Sequence, residues 1–149
     1  MINPTPFAEL SPDFVLDAVS ALGFEPDGRL LALNSFENRV YQVGIEGAEP
    51  LIAKFYRPGR WSRDALQDEQ DFLAELEAEE VPVVPPLPGV DGARLHDLGG
   101  IHFAIFAKKG GRPLDEPAPG EWSTIGRLIG RMHMVGARHE PRDRVHLHP

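Results

Sequence analysis

Between residues 30 and 56 the chain runs through three extended segments in quick succession, and any fold must accommodate them. Leu30–Leu33 is an apolar run, Arg39–Ile45 alternates Val40, Tyr41, Gln42 and Val43, and Leu51–Tyr56 reads LIAKFY. Gly47-Ala48-Glu49-Pro50 separates the last two and predicts a hairpin turn. An antiparallel meander of this kind needs something to cover one face. A helix from about Ser62 to Glu79 is the expected cover, with Ser62 as its cap and Leu66, Phe72, Leu73 and Leu76 as its buried stripe.

The flanking segments extend this pattern. Ser11-Pro12 predicts a helix start, Phe14, Val15, Ala18, Val19 and Leu22 recur at helical spacing, and Gly23 marks the stop. Val81–Pro88 carries four prolines in eight residues and reads as an ordered extended connector. Two further strands are expected at roughly Ala93–His96 and Ile101–Phe106, turning at Gly99-Gly100. Gly110-Gly111-Arg112-Pro113 and the proline-bearing stretch to Gly120 look like a boundary. Beyond it Trp122, Ile125, Leu128, Ile129 and Met132 predict an amphipathic helix ending near Gly136. Gly126 and Gly130 within it suggest that a neighbouring segment packs closely there. The tail ARHEPRDRVHLHP shows no periodicity, and the chain reads as one cut short.

Composition narrows the function classes. With no cysteine among 149 residues, disulfide scaffolds, thiolate metal sites and cysteine nucleophiles are excluded. A net charge of −8 argues against non-specific nucleic-acid binding and against an anionic membrane surface. The charge is uneven, with 18 acids against seven bases up to residue 107 and five against eight afterwards. Eight acids and no base lie between Asp64 and Glu80, which reads as a solvated helix face. No apolar run approaches the ~20 residues of a membrane span, and the amino terminus lacks the pattern of a signal peptide. A cytoplasmic location is therefore expected. The spacing of His133, His139, His146 and His148 fits no zinc pattern, which leaves little for a metal-dependent hydrolase, and His96 and His102 read as ordinary strand residues.

Three features carry chemistry. Lys54 sits mid-strand between Ile52, Ala53, Phe55 and Tyr56, where an ammonium either finds an anion or snorkels out from a half-exposed face. Glu69 falls three residues before Phe72 and four before Leu73, on the stripe facing the sheet or at its wetted margin. A strand lysine and a following helix glutamate are the two halves of an ion pair. The polar turn Asn34-Ser35-Phe36-Glu37-Asn38-Arg39 can present donors to phosphate oxygens, or can be a plain hairpin turn; it lacks the glycines of a P-loop.

Taken in order, LNSFENRVYQV at 33–43, AKFYRPGRW at 53–61, EVPVVPP at 80–86, FAIFAKKGGRPL at 103–114 and IGRLIGRMHMVG at 125–136 resemble the stress response kinase A family. These are bacterial protein Ser/Thr kinases within the aminoglycoside phosphotransferase and choline kinase-like superfamily. The resemblance implies an α+β, protein-kinase-like N-lobe: an antiparallel five-stranded sheet with a packed helix, plus the first helix of a truncated C-lobe. Its implied divisions are a nucleotide-binding lobe at 1–107, a hinge or linker at 108–120 and an incomplete second lobe at 121–149.

By the same resemblance Lys54 contacts the α- and β-phosphates of ATP and Glu69 pairs with it. Asn34, Ser35, Phe36, Glu37, Asn38 and Arg39 form the nucleotide-phosphate loop, and the backbone of Phe106 and Ala107 bonds the adenine edge. Neither H-x-D-x-x-x-x-N nor D-F-[DG] occurs in the 149 residues, and Asp143 has no asparagine behind it. The Mg²⁺ ligands and catalytic base are therefore expected in a lobe outside this chain, which by itself should not transfer phosphate. The implied acceptor is a protein Ser/Thr hydroxyl; a small alcohol or amino alcohol is the alternative. A non-catalytic binding module, self-associating through an uncovered face of the last helix, is the reading from another class.

Overall fold

The computed structural model of the chain describes residues 6–111 and 114–145, so Arg112, Pro113, His146 and His148 lie outside the described residues. The elements are α1 (Pro12–Ser20), β1 (Pro26–Leu33), β2 (Arg39–Ile45), β3 (Ala48–Phe55), α2 (Arg63–Ala78), β4 (His96–Leu98), β5 (Ile101–Ala107) and α3 (Glu121–Gly136). Both predicted caps form: Ser11 Oγ accepts from the Phe14 amide at 3.2 Å, and Ser62 Oγ from the Ala65 amide at 3.0 Å. The sheet is five-stranded in the order β1-β2-β3-β5-β4, every pair antiparallel, as the α+β reading expects. Among the described residues no helix is long and apolar enough to cross a membrane.

Register sorts the side chains onto two faces. Val43 pairs with Leu51, Tyr41 with Ala53 and Ile105 in turn, and Phe55 with Phe103. These residues form the main core, and α1 covers it through Val15, Ala18 and Val19, all fully buried. The helix expected to cover the meander, α2, lies on the opposite face, where Leu66 packs with Tyr56, Leu95 and Ala104. Each face thus has its own helix. Two of the four residues expected on the α2 stripe, Phe72 and Leu73, are only half-buried, while Ala65 and Gln70 take the inner positions.

The boundaries differ from expectation for identifiable reasons. The β2–β3 turn is tighter than Gly47–Pro50, because Gly47 adopts φ +64° and lets Ala48 enter the strand at once. Pro50 then falls where the β2–β3 register shifts, an irregular stretch that tolerates a missing donor. β1 begins at Pro26 rather than Leu30; Asp27 accepts from the Arg29 amide at 2.9 Å and Gly28 sits at φ +87°, a local bulge that hides the alternation. Ala93–Leu95 is not a strand. Asp91 accepts from the Ala93 amide at 3.0 Å and Arg94 donates to the Pro86 carbonyl, so only His96–Leu98 pairs.

The acidic run on α2 is not simply solvated, and the aperiodic tail is not idle: the two meet. Arg138 bonds Glu79 at 2.5 Å, His139 lies 3.2 Å from Glu75, and Arg142 bonds both Asp68 and Asp71 at 2.9 Å. The C-terminal end of α3 packs through Val135 on Leu76 of α2 and on Val81 just beyond it. Its other half leaves Trp122 and Ile129 exposed, and among the described residues nothing approaches within 4 Å of a β-carbon built on Gly126 or Gly130.

His96 is 8% exposed, its ring centroid is 5.4 Å from that of Phe103, and its Nε2 has no hydrogen-bond partner among the described residues. Burial holds its pKa below the ordinary 6.5. The unfolded chain therefore binds the proton first as pH falls, and stability is lost from 6.5 downward until the lowered native value is passed. The denaturant midpoint is expected to drop between about pH 7.5 and about pH 5.5, with a smaller drop in His96→Leu. Equal drops in both proteins would assign the effect to other groups.

Candidate functional site

The antiparallel register aligns Leu33, Val40, Lys54 and Ala104 in one row across the sheet, and Leu31, Gln42, Ile52 and Phe106 in the next. Both rows share the α2 face. At the β3–β5 end that helix covers them; toward β1 the shelf is open, with Leu31 57% and Leu33 37% exposed. Lys54 stands where cover gives way to open shelf. A largely apolar strand surface, interrupted by Gln42, therefore leads directly to an ammonium group.

Lys54 Nζ donates to Glu69 Oε1 at 2.9 Å, so the strand lysine and the helix glutamate do form a pair, each side chain 27% exposed. The cap at Ser62 sets the phase of α2 so that Leu66 and Gln70 point inward and Glu69 flanks them toward Lys54. Tyr56 Oη donates to the same Oε1 at 2.9 Å and accepts from Gln70 Nε2 at 2.7 Å. Lys54 Nζ also lies 4.5 Å from the Tyr56 ring centroid. Arg144 takes the second carboxylate oxygen, Oε2, at 3.0 Å, and its guanidinium lies 5.2 Å from the Trp61 ring centroid.

Burial would raise the Glu69 pKa, but the hydrogen bonds and charges of Lys54, Tyr56 and Arg144 outweigh it and hold the group below the ordinary 4.5. Burial and the neighbouring carboxylate push the Tyr56 phenol upward, so it stays a donor. Two cations face one anion, and the cluster has a net positive charge. Such a site suits a ligand with an anionic end at Lys54 and a flat apolar end on the open shelf.

The turn Asn34–Arg39 joins β1 and β2 beside Lys54, because Arg39 precedes Val40, the register partner of Lys54. Phe36 is fully exposed at its tip. Its base is tied to the segment after β3: Asn38 Oδ1 accepts from the Arg57 amide at 3.3 Å and Glu37 from Arg60 at 2.8 Å. Phe106 and Ala107 end β5, two and three residues beyond Ala104, the register partner of Lys54, with Pro86 bridged to Phe106. Lys54, Glu69, the turn and the β5 end thus lie around one face. Among the described residues no group of three or more His, Asp or Glu could hold a metal ion.

Sequence reasoning missed Tyr56, Gln70 and Arg144. Period-two counting from Lys54 reaches Tyr56, so that signal was present. Arg144 lies in an irregular arm, and nothing in its local pattern points to Glu69.

Residues 29–148 match the phosphotransferase enzyme family. The chain is 40% identical over 136 residues to stress response kinase A of Salmonella choleraesuis (strain SC-B67), covering 91% of this chain and 41% of that protein. It is equally similar, with the same coverage, to a protein of Salmonella typhimurium named serine/threonine protein kinase RdoA. Escherichia coli (strain K12) stress response kinase A is 39% identical over 132 residues. The chain thus spans about two fifths of the length of these relatives, by the 41% coverage. Among solved structures, an amicoumacin kinase in complex with AMP-PNP and Ca²⁺ matches with a TM-score of 0.72 at 20% identity, over 88% of this chain and 41% of that one. A microcompartment-associated aminopropanol kinase matches with a TM-score of 0.66 at 24% identity, over 88% and 42%. These structures share the fold of the sheet and helices described above. On the match over residues 29–148, the chain belongs to the phosphotransferase enzyme family.

Proposed function

We propose that this chain is the nucleotide-binding part of an ATP-dependent phosphotransferase acting on protein Ser/Thr hydroxyls. The observation that carries the reading is the adjacency of the open apolar shelf (Leu31, Leu33, Val40, Ile52) to Lys54 and its partner Glu69. Adenine lies on the shelf, its edge bonded by backbone groups of Phe106 and Ala107. Lys54 contacts the α- and β-phosphates, and Glu69 holds the ammonium in place. Asn34, Ser35, Phe36, Glu37, Asn38 and Arg39 form a loop over the phosphates. Bound ATP supplies the phosphoryl group for in-line transfer to a hydroxyl; this chain binds and orients it, and Mg²⁺ and the acceptor base belong to residues beyond those named here.

Residues 1–107 are the nucleotide-binding lobe, 108–120 the linker and 121–149 the beginning of a second lobe. The name of one curated relative, serine/threonine protein kinase RdoA, supports a protein acceptor. An amino alcohol is the second reading, favoured by the aminopropanol kinase among the structural neighbours. Titration of the chain with Mg-ATP is the test. Binding is expected, and Lys54→Ala should weaken it about tenfold or more, since a charge-assisted contact to phosphate is removed. Identical titrations for both proteins would overturn the assignment of Lys54.

A further inference from the structure

The tail after α3 makes a contact that its own sequence does not announce. It runs antiparallel along α2, and the acids it meets, Glu79, Glu75, Asp71 and Asp68, recur along one edge of the helix at three- and four-residue spacing. The Arg142 and Asp143 amides both donate to Asp68 Oδ2, at 2.7 and 3.1 Å. Asp143 in turn bonds the hydroxyl of Ser62, the residue that caps α2. The pairs at Glu79, Glu75 and Asp71 are exposed and each contributes little to stability, while Asp68, 9% exposed and accepting three donors, is the anchor of the arm. What the arrangement supplies is position. The last link is Arg144, which ends on the one helix acid already shared with the sheet.

Glu69 has two carboxylate oxygens. Oε1 receives both Lys54 and Tyr56, while Oε2 receives Arg144. With only the first two donors the carboxyl group could turn about its terminal torsion, a broad and soft one, and exchange its oxygens. A donor on each side removes that freedom. Arg144 also offsets the Glu69 charge, so the carboxylate grips Lys54 less completely and the cluster retains a positive excess.

We propose that Arg144 is a positioning residue: the strap 138–144, anchored along α2, places its guanidinium on Glu69 Oε2 and so fixes the carboxylate that orients Lys54. The consequence for ATP rests on the nucleotide reading above; the contact with Glu69 does not.

The test uses the 149-residue chain, its Arg144→Gln and Arg144→Lys variants, and two kinds of readout. Without nucleotide, the Glu69 carboxyl is titrated by ¹³C NMR, and emission of Trp61, which lies beneath Arg144, is recorded in a Trp122→Phe background. In Arg144→Gln the Glu69 titration should move up and Trp61 emission should change. Arg144→Lys, which keeps the charge but not the fork, should restore most of the titration and little of the emission. With Mg-ATP, affinity should fall about fivefold in Arg144→Gln. An unchanged Glu69 titration in Arg144→Gln would overturn the proposal, whatever ATP does. If the titration moves but the parent chain binds no ATP, the positioning role stands and the nucleotide reading fails.

Discussion

Replacing Phe55 by alanine should cost about 3–5 kcal/mol, the range for truncating a fully buried aromatic ring. Phe55 is 0% exposed, stacks on Phe103 at 5.3 Å, and meets Phe14 and Tyr41 edge-on at 6.2 and 6.1 Å. It therefore joins α1 to strands β2, β3 and β5 at a single point. Removing the ring leaves a void walled by three other rings, two of them (Tyr41 and Phe103) on strands held by the sheet ladder, so the site cannot collapse cheaply. Domains of this size are stable by about 5–15 kcal/mol, and the variant should be partly unfolded at moderate temperature. Urea unfolding with a constant slope and a sharply lowered midpoint is the expected result, and Phe55→Leu should recover much of the loss. An unfolding free energy within about 1 kcal/mol of the parent would mean that α1 is not docked through this ring.

Glu69→Ala is expected to be the most damaging change on the other face, and worse for stability than Lys54→Ala. The glutamate accepts from Lys54, Tyr56 and Arg144; its removal strands three donors, one of them the phenol of Tyr56, only 2% exposed. Removing Lys54 strands no one, because Glu69 keeps Tyr56 and Arg144. With each member of the pair 27% exposed, the expected costs are about 2 kcal/mol for Glu69→Ala and under about 1 kcal/mol for Lys54→Ala. The reverse order in denaturant unfolding would refute the shared-acceptor geometry. The acid limb gives a second check. The native Glu69 pKa is lowered, so its contribution is fully present above the ordinary 4.5 and is lost as pH falls through the native value. Stability of the parent should therefore decline below 4.5 more steeply than that of Glu69→Ala.

The two residues of this pair were readable in advance because each breaks its local pattern. A lysine inside LIAKFY has no reason to be there on strand propensity, and a carboxylate beside Phe72 and Leu73 has none on amphipathicity. Regular elements were readable for the opposite reason. Ser11 and Ser62 are capping residues followed by helical periodicity, and β2 and β5 are rich in β-branched and aromatic residues. Failures cluster where side chains bond the backbone locally: Asp27 bulges β1, and Asp91 with Arg94 bends Ala93–Leu95 out of the sheet. The acid run on α2 carried no mark of its partner, because that partner is an irregular arm some 60 to 75 residues away whose pairing depends on where α3 ends. Periodicity describes one element at a time. It is silent on which charged edge an aperiodic segment will find.

Among the described residues α3 is buried at one end only, and this has a mechanical consequence. Val135 is its one buried residue, seated near the C-terminus against Leu76 and Val81, whereas Trp122 is 60% exposed. Thirteen residues separate the two, about 20 Å at 1.5 Å per residue. The helix is thus a lever pinned near its far end. Each degree of rotation at Val135 carries Trp122 through about a third of an ångström, by that same rise. Small repacking beneath the pin, at Leu76 or Val81, is amplified into displacement of Trp122 by several times its own size.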